Sequence, residues 1–184
     1  MRKVTENLLL KGQQICLTEI RLEDSDTMFR WINDADTVRF SAPFAPVTRE
    51  SHDAWFANIG RDPSRAVLAI RKPEDQKIIG VVQLINIHPI HRSAELTTRI
   101  GADEHRGKGY GSEALKLAID FAWTDLNLQR VWLRVFSTNE RAMEAYKNAG
   151  FEVEGTMRRS AWIDGKWTDE VVMAVLRDIN PELK

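Results

Sequence analysis

A single cysteine, six prolines and two tyrosines are all that 184 residues supply of those types. Cys16 has no second thiol to pair with, so an internal disulfide framework is excluded, and a reducing, cytoplasmic setting is expected. An excess of charge is missing too. With 26 Lys and Arg against 27 Asp and Glu, the net charge of −1 gives no electrostatic reason to expect nucleic acid or an anionic membrane as partner. No apolar run approaches the roughly 18 residues that suggest a membrane span. The opening "MRKVTENLLLKGQQ" has three consecutive leucines, short of a signal-peptide core. Nor is there a repeat, a low-complexity tract or a Pro/Gly/Ser-rich linker, so residues 1–184 are expected to form one domain. A chain of that size buries about two-thirds of the surface its unfolded form exposes.

What is present alternates between two periods. "ICLTEIRL" reads as a strand, with "LLLKGQQ" before it as the other arm of a hairpin. "EDSDTMFRWIND" reads as a helix with an Asp or Ser cap. "TRESHDAWFANIG" reads as a second helix, capped by Thr48 and stopped at Gly60. Between them "FSAPFAPV" is broken by two prolines. "AVLAIR" and "KIIGVVQLINI" form a hairpin and "AELTTRIG" a further strand. From about residue 109 the period becomes helical, with Ala114, Leu115, Ala118, Ile119 and Ala122 on one face. The strand "RVWLRVF" follows, then the helix "NERAMEAYKNAG" with Asn139 as cap, then two strands joined at Asp164–Gly165. This order predicts a mixed α/β chain with a parallel strand–helix–strand crossover around residues 104–115.

That crossover carries "EHRGKGYGSEAL", with glycines at 107, 109 and 111. A glycine loop opening a helix presents unpaired N–H groups at the positive end of the helix dipole, which makes an anion site. The nucleoside-triphosphate pattern G-x-x-x-x-G-K-[ST] is absent. The dinucleotide pattern G-x-G-x-x-[GA] is matched by Gly109, Gly111 and Ala114. Its context is wrong, because three or more strands come earlier and the next strand ends without a carboxylate. The third pattern, R-x-x-G-x-G, is matched by Arg106, Gly109 and Gly111. Together with "NERAMEAYKNAGF" some thirty residues on, it resembles the GNAT superfamily of acyl-CoA-dependent N-acetyltransferases. The likeness runs from "ICLTEIRLED" to the terminal hairpin and is greatest to the RimJ/RimL-type branch, with some similarity to spermidine acetyltransferases.

The resemblance implies a central, mostly antiparallel mixed sheet splayed between two parallel strands and flanked by helices. It also implies acetyl-CoA as cosubstrate, an amine acceptor, no metal and a homodimer. The coenzyme A pyrophosphate is expected on the backbone of Arg106, Gly107, Lys108, Gly109, Tyr110, Gly111 and Ser112. The pantetheine arm is expected along Thr98, Arg99 and Ile100, with a further contact from Asn139. Tyr146 is the expected acid that protonates the departing thiolate, whose pKa lies near 8.5. Glu95 is the expected base. An α-amino group costs roughly 1 kcal/mol to deprotonate at pH 7, a lysine-like amine about 4.6.

Trp31, Phe40 and His88 are candidate acceptor-pocket residues, and the remaining tryptophans are expected mostly in the core or an interface. His88 and His91, three apart, could suggest a metal pair, but no further ligand cluster accompanies them. A polyamine needs several pocket carboxylates. "RFSAPFAPV" has none, while Asp34 and Asp36 keep that acceptor open. The expectation is therefore a protein or peptide N-terminal amine or a small amine, with spermidine as the alternative. A non-catalytic acetyl-CoA-binding regulatory module is the alternative of another class.

Overall fold

The computed structural model describes residues 9–38, 45–74 and 76–178. Strands β1 (Leu9–Lys11) and β2 (Cys16–Glu19) form the expected first hairpin. Helix α1 (Ser25–Asn33) follows, then a short α2 (Ala35–Val38) that no periodicity announces, then α3 (Arg49–Asn58). Strands β3 (Ala66–Arg71), β4 (Ile78–His88) and β5 (Ser93–Ile100) run as an antiparallel meander. Helix α4 (Tyr110–Thr124), strand β6 (Arg130–Phe136) and helix α5 (Glu140–Asn148) lead to the hairpin β7 (Glu152–Ile163) and β8 (Lys166–Leu176). Asp164 and Gly165 both take positive φ at its turn, as a tight two-residue connection requires.

Among the described residues, eight strands join one sheet in the order β1-β2-β3-β4-β5-β6-β8-β7, and only β5 and β6 are parallel. Alternation along the strands separates two cores. Leu17, Ile70, Val82, Leu84, Leu96 and Leu133 pack on one face with the predicted stripe of α4. Each such leucine contributes about 1.5–3 kcal/mol when fully buried. On the other face Met28, Val67 and Val81 pack with Trp31, Trp55 and Phe56 from α1 and α3.

One expectation is corrected here. Asp24 does not cap α1, and Ser25 lies inside the helix: Asp24 has a helical backbone and no side-chain cap bond. Its carboxylate is buried instead, accepting Arg21 N–H at 2.7 Å and the buried Arg71 guanidinium at 3.0 Å from Nη1. The Arg71 guanidinium and the Arg21 amide together hold it away from the first-turn N–H groups of α1. Four of the six tryptophans are half-buried, in keeping with the expectation, and two are exposed. Trp162 and Trp167 face each other across the last hairpin, edge to face at 5.1 Å, and are 52% and 60% exposed.

Candidate active site

The parallel pairing of β5 with β6 lasts for three residue pairs, Ser93–Arg130, Ala94–Val131 and Glu95–Trp132. Beyond them Leu96 to Ile100 remain paired with β4, and Leu133 to Phe136 with β8. The inner edges of both strands are thereby left open, as an added strand or an extended ligand would need. A cleft of about 560 Å³ occupies the fork. Residues from both faces of the sheet line it: Leu96, Thr98, Asn139 and Tyr146 from the α4–α5 side, Glu95, Thr97, Trp31 and Trp55 from the α1–α3 side. The fork is a slot through the sheet.

At the end of β5 the chain enters the glycine loop. Gly107 and Gly109 have φ of 78° and 84°, a left-handed conformation that costs other L-residues about 1–2 kcal/mol. Among the described residues, none of the six N–H groups from Gly107 to Ser112 meets an acceptor. They form a cradle for an anion at the N-terminus of the fifteen-residue α4. Glu113, in the first turn, could have opposed that anion. Its carboxylate is instead turned to the backbone of Gln13 and Gln14 in the first hairpin, accepting Gln14 N–H at 3.1 Å. Arg106 is engaged in shaping the loop: it pairs with Asp103 and donates from Nη2 to Gly101 O at 2.8 Å. Its guanidinium pins the bend while its backbone leads into the cradle.

Tyr146 lies on the same face, its ring edge-on to Phe151 at 5.8 Å. Burial pushes its phenol above the ordinary value of 10, so it holds its proton through the neutral range. Among the described residues its hydroxyl has no hydrogen-bond partner. Asn139 caps α5, accepting Ala142 N–H at 3.2 Å, and also lines the cleft. Both predicted roles of that residue are compatible in one position. Thr98 Oγ1, in the open half of β5, is buried without a partner. Burial also lowers the pKa of Arg99, with the nearby Arg106 cation acting in the same direction.

On the other face Glu95 is buried at the vertex of the fork. Its Oε1 accepts from Arg134 Nε and Nη2 at 3.2 and 3.1 Å, and its Oε2 accepts from Asn86 Nδ2 at 3.2 Å. Asn86 has a φ of 53° at a bulge between Ile85 and His88, which aims its amide at Glu95. Trp31 lines the cleft and lies flat on Gly101, where a Cβ would fall inside the indole. His52, buried on α3, lines the cleft as well and bonds the carbonyl of Ser25 at 3.0 Å.

Phe40 lies outside the described residues. His88 does not line the cleft, contrary to expectation: it pairs with Ser93 at the closed end of the strands and is exposed. Its ring stacks on His91 at 4.1 Å, and its Nδ1 accepts His91 N–H at 3.1 Å. Arg134, Asn86 and His52 carry no motif. The one hint for Arg134 is a charge within the alternating run "RVWLRVF".

The match to known families agrees with this geometry: the model of the acetyltransferase (GNAT) domain matches residues 14–152. The chain belongs to the GNAT acetyltransferase family. Among curated relatives, the spermidine N(1)-acetyltransferase of Vibrio cholerae serotype O1 is 38% identical over 102 residues, 55% of this chain and 58% of the relative. That of Escherichia coli K12 is 36% identical over 103 residues, 55% of its length, so these alignments span little more than half of each relative. The [ribosomal protein uS5]-alanine N-acetyltransferase of Escherichia coli K12 is 27% identical over 89% of this chain and 94% of its own. The solved spermidine N-acetyltransferase from Vibrio cholerae in complex with CoA and spermine superimposes with a TM-score of 0.82 at 27% identity, covering 90% of this chain and 96% of that one.

In a GNAT chain the slot has a direct chemical meaning. An acyl-CoA is long, anionic at one end and amide-rich along its arm. The partners it would need, six free N–H donors and an open strand edge, lie end to end from the helix α4 terminus back along β5. Among the described residues no helix is long and apolar enough to cross a membrane.

Proposed function

We infer that the protein is an N-acetyltransferase, moving an acetyl group from acetyl-CoA to an amine by direct attack within a ternary complex. The observation that carries this is the slot itself, with Tyr146 lining it from one face and Glu95 from the other. The cosubstrate enters on the α4–α5 side, its pyrophosphate on the loop from Arg106 to Ser112 and its arm along Thr98 to Ile100. The acceptor enters from the α1–α3 side. Glu95 Oε2, which accepts one hydrogen bond from Asn86, has a lone pair for an ammonium or for a water that takes the proton. As the carbon–sulfur bond breaks, Tyr146 donates its proton to the sulfur, and the acetamide leaves by the acceptor side.

The acceptor we propose is a protein or peptide N-terminal amine, or a small amine. Among the described residues the cleft offers two carboxylates, Glu95 and Glu170, and two guanidiniums, Arg99 and Arg134. One of those carboxylates already faces Arg134. That balance favours an acceptor with a single cationic nitrogen and aromatic or apolar surroundings over a polycation. Spermidine is the second reading, and the 38% identity to a spermidine acetyltransferase favours it.

The test is acetyl-CoA turnover, read as free thiol, against peptides with free N-termini, amino acids, amino sugars and spermidine. Acceptor-dependent thiol release is expected with at least one. Tight acetyl-CoA binding without any such release would instead support a regulatory module and refute the enzyme.

A further inference from the structure

Arg134 is held in an unusual way for a residue that merely neutralises a buried acid. Its Nε and Nη2 both point at one oxygen of Glu95, at 3.2 and 3.1 Å, so the pairing is side-on and not the two-oxygen fork that gives the strongest contact. Among the described residues, Nη1 has no partner. The arginine side chain is 43% exposed while Glu95's is 7% exposed, and both line the cleft. The acid is fixed and covered, and the unspent end of the base is left in the space the acceptor must occupy.

Two adjacent groups are therefore presented at the vertex. Glu95 Oε2 can accept from a nitrogen, and Arg134 Nη1 can donate an N–H to an oxygen. We propose that Arg134 determines acceptor specificity by binding the carbonyl oxygen next to the reacting amine, so that the substrate class is the α-amino carbonyl compound: a peptide N-terminus or an α-amino acid derivative. This rests on the acetyl-transfer reading above. A simple alkylamine or a polyamine has no oxygen there and leaves Nη1 unused. A peptide N-terminus fills both positions, and the carbonyl contact points its amine at the acid and the thioester.

The experiment compares two acceptors that differ only in the carboxamide, phenylalanine amide and phenethylamine. Each is assayed by thiol release with the wild-type protein and with Arg134→Lys and Arg134→Met. Comparing variants on the same acceptor cancels the difference in amine basicity. Arg134→Lys keeps a cation beside Glu95, so it preserves the buried acid's partner while losing the second donor. Expected is a fall in kcat/KM for phenylalanine amide of about tenfold or more in both variants, carried mainly by KM, the size of one charge-assisted hydrogen bond. For phenethylamine the change in Arg134→Lys should stay within about threefold, with acetyl-CoA affinity within about twofold, while Arg134→Met, which also strips Glu95 of its cation, should lose more on phenylalanine amide than on phenethylamine. An equal loss on both acceptors would mean that Arg134 only supports Glu95, and would overturn the proposal. So would a wild-type protein that acetylates phenethylamine or spermidine but ignores phenylalanine amide. Wild-type protein that releases no thiol with any amine would refute acetyl transfer itself, and the specificity proposal with it.

Discussion

Replacing Tyr146 by phenylalanine removes one oxygen and keeps the ring, whose edge-on packing against Phe151 at 5.8 Å does not depend on the hydroxyl. Because that hydroxyl has no partner among the described residues, its removal orphans nothing. The melting temperature of the free protein should move by no more than about 2 °C. The whole effect should fall on turnover. A positioned general acid is worth about 10²- to 10⁴-fold. A thiolate of pKa near 8.5 can leave without one at a moderate rate, so the lower half of that range is expected, about 10²- to 10³-fold in kcat. At 1.36 kcal/mol per tenfold this is about 2.7–4.1 kcal/mol of barrier. The pH dependence carries a sign as well. Burial raises the phenol's pKa above 10, which extends the protonated, donating form to higher pH, so wild-type kcat should show no alkaline fall below about pH 10 from this group. The assay is thiol release at saturating acetyl-CoA, beside calorimetric acetyl-CoA binding. Normal kcat together with a large loss of acetyl-CoA affinity would refute the acid role and leave Tyr146 a packing residue.

Two further substitutions separate the cradle from the scaffold. Gly109→Val forces a β-branched residue into φ of 84°, although nothing lies closer to its Cβ than Gln14 Nε2 at 3.8 Å. The fold should survive with about 1–2 kcal/mol of strain, a few degrees in melting temperature, while acetyl-CoA affinity measured by calorimetry falls at least about tenfold. Unchanged affinity would remove the loop from the cosubstrate site. Asp24→Asn leaves the buried Arg71 cation unpaired on the far side of α1, which should cost about 3–5 kcal/mol. Differential scanning calorimetry should then show a drop of about 6–20 °C. A drop under about 2 °C would show that the remaining acceptors, Thr18 Oγ1, Glu19 O and Gln76 O, suffice for Arg71.

The elements legible in the sequence are those with enough residues to display a period. The stripe Ala114–Leu115–Ala118–Ile119–Ala122 lies buried on α4, and Asn139 and Thr48 cap the helices they precede. Helix α2 has four residues, about one turn, and no period can be seen in one turn. The glycine loop's conformation could be read because it is local: the left-handed backbone and the helix terminus both follow from neighbouring residues. The acceptor side depends instead on contacts distant in sequence. Glu95 and Arg134 are 39 residues apart, and Trp31 rests on Gly101 across an even longer span. Whether a charge in "RVWLRVF" is solvated or directed into a cleft depends on where β5 and β6 separate. No propensity encodes that. His88 illustrates the reverse error: it lies seven residues before Glu95, but the antiparallel turn carries it to the closed end of the strands.

The point of separation also explains why these residues can be positioned accurately. Catalytic groups need placement to within a fraction of an ångström, and rigid strands supply this better than loops. Glu95 is the last residue of β5 still paired on both sides, to Ile85 and to Trp132. Arg134 follows on β6 two residues beyond that final pair, still paired to Val172 of β8. The acid is thus fixed by two ladders, and its partner by one ladder and a salt bridge, at the last point before the sheet opens. Beyond it, the unpaired backbone of β5 and the N–H groups of the loop, whose Gly107, Lys108 and Gly109 are open to solvent, can exchange water for the acceptors of an extended, anionic ligand. On the acetyl-transfer reading proposed above, such a ligand would bring its reactive end to the vertex, and the open sheet would serve at once as the binding edge for one substrate and as the rigid reference against which the other is aligned.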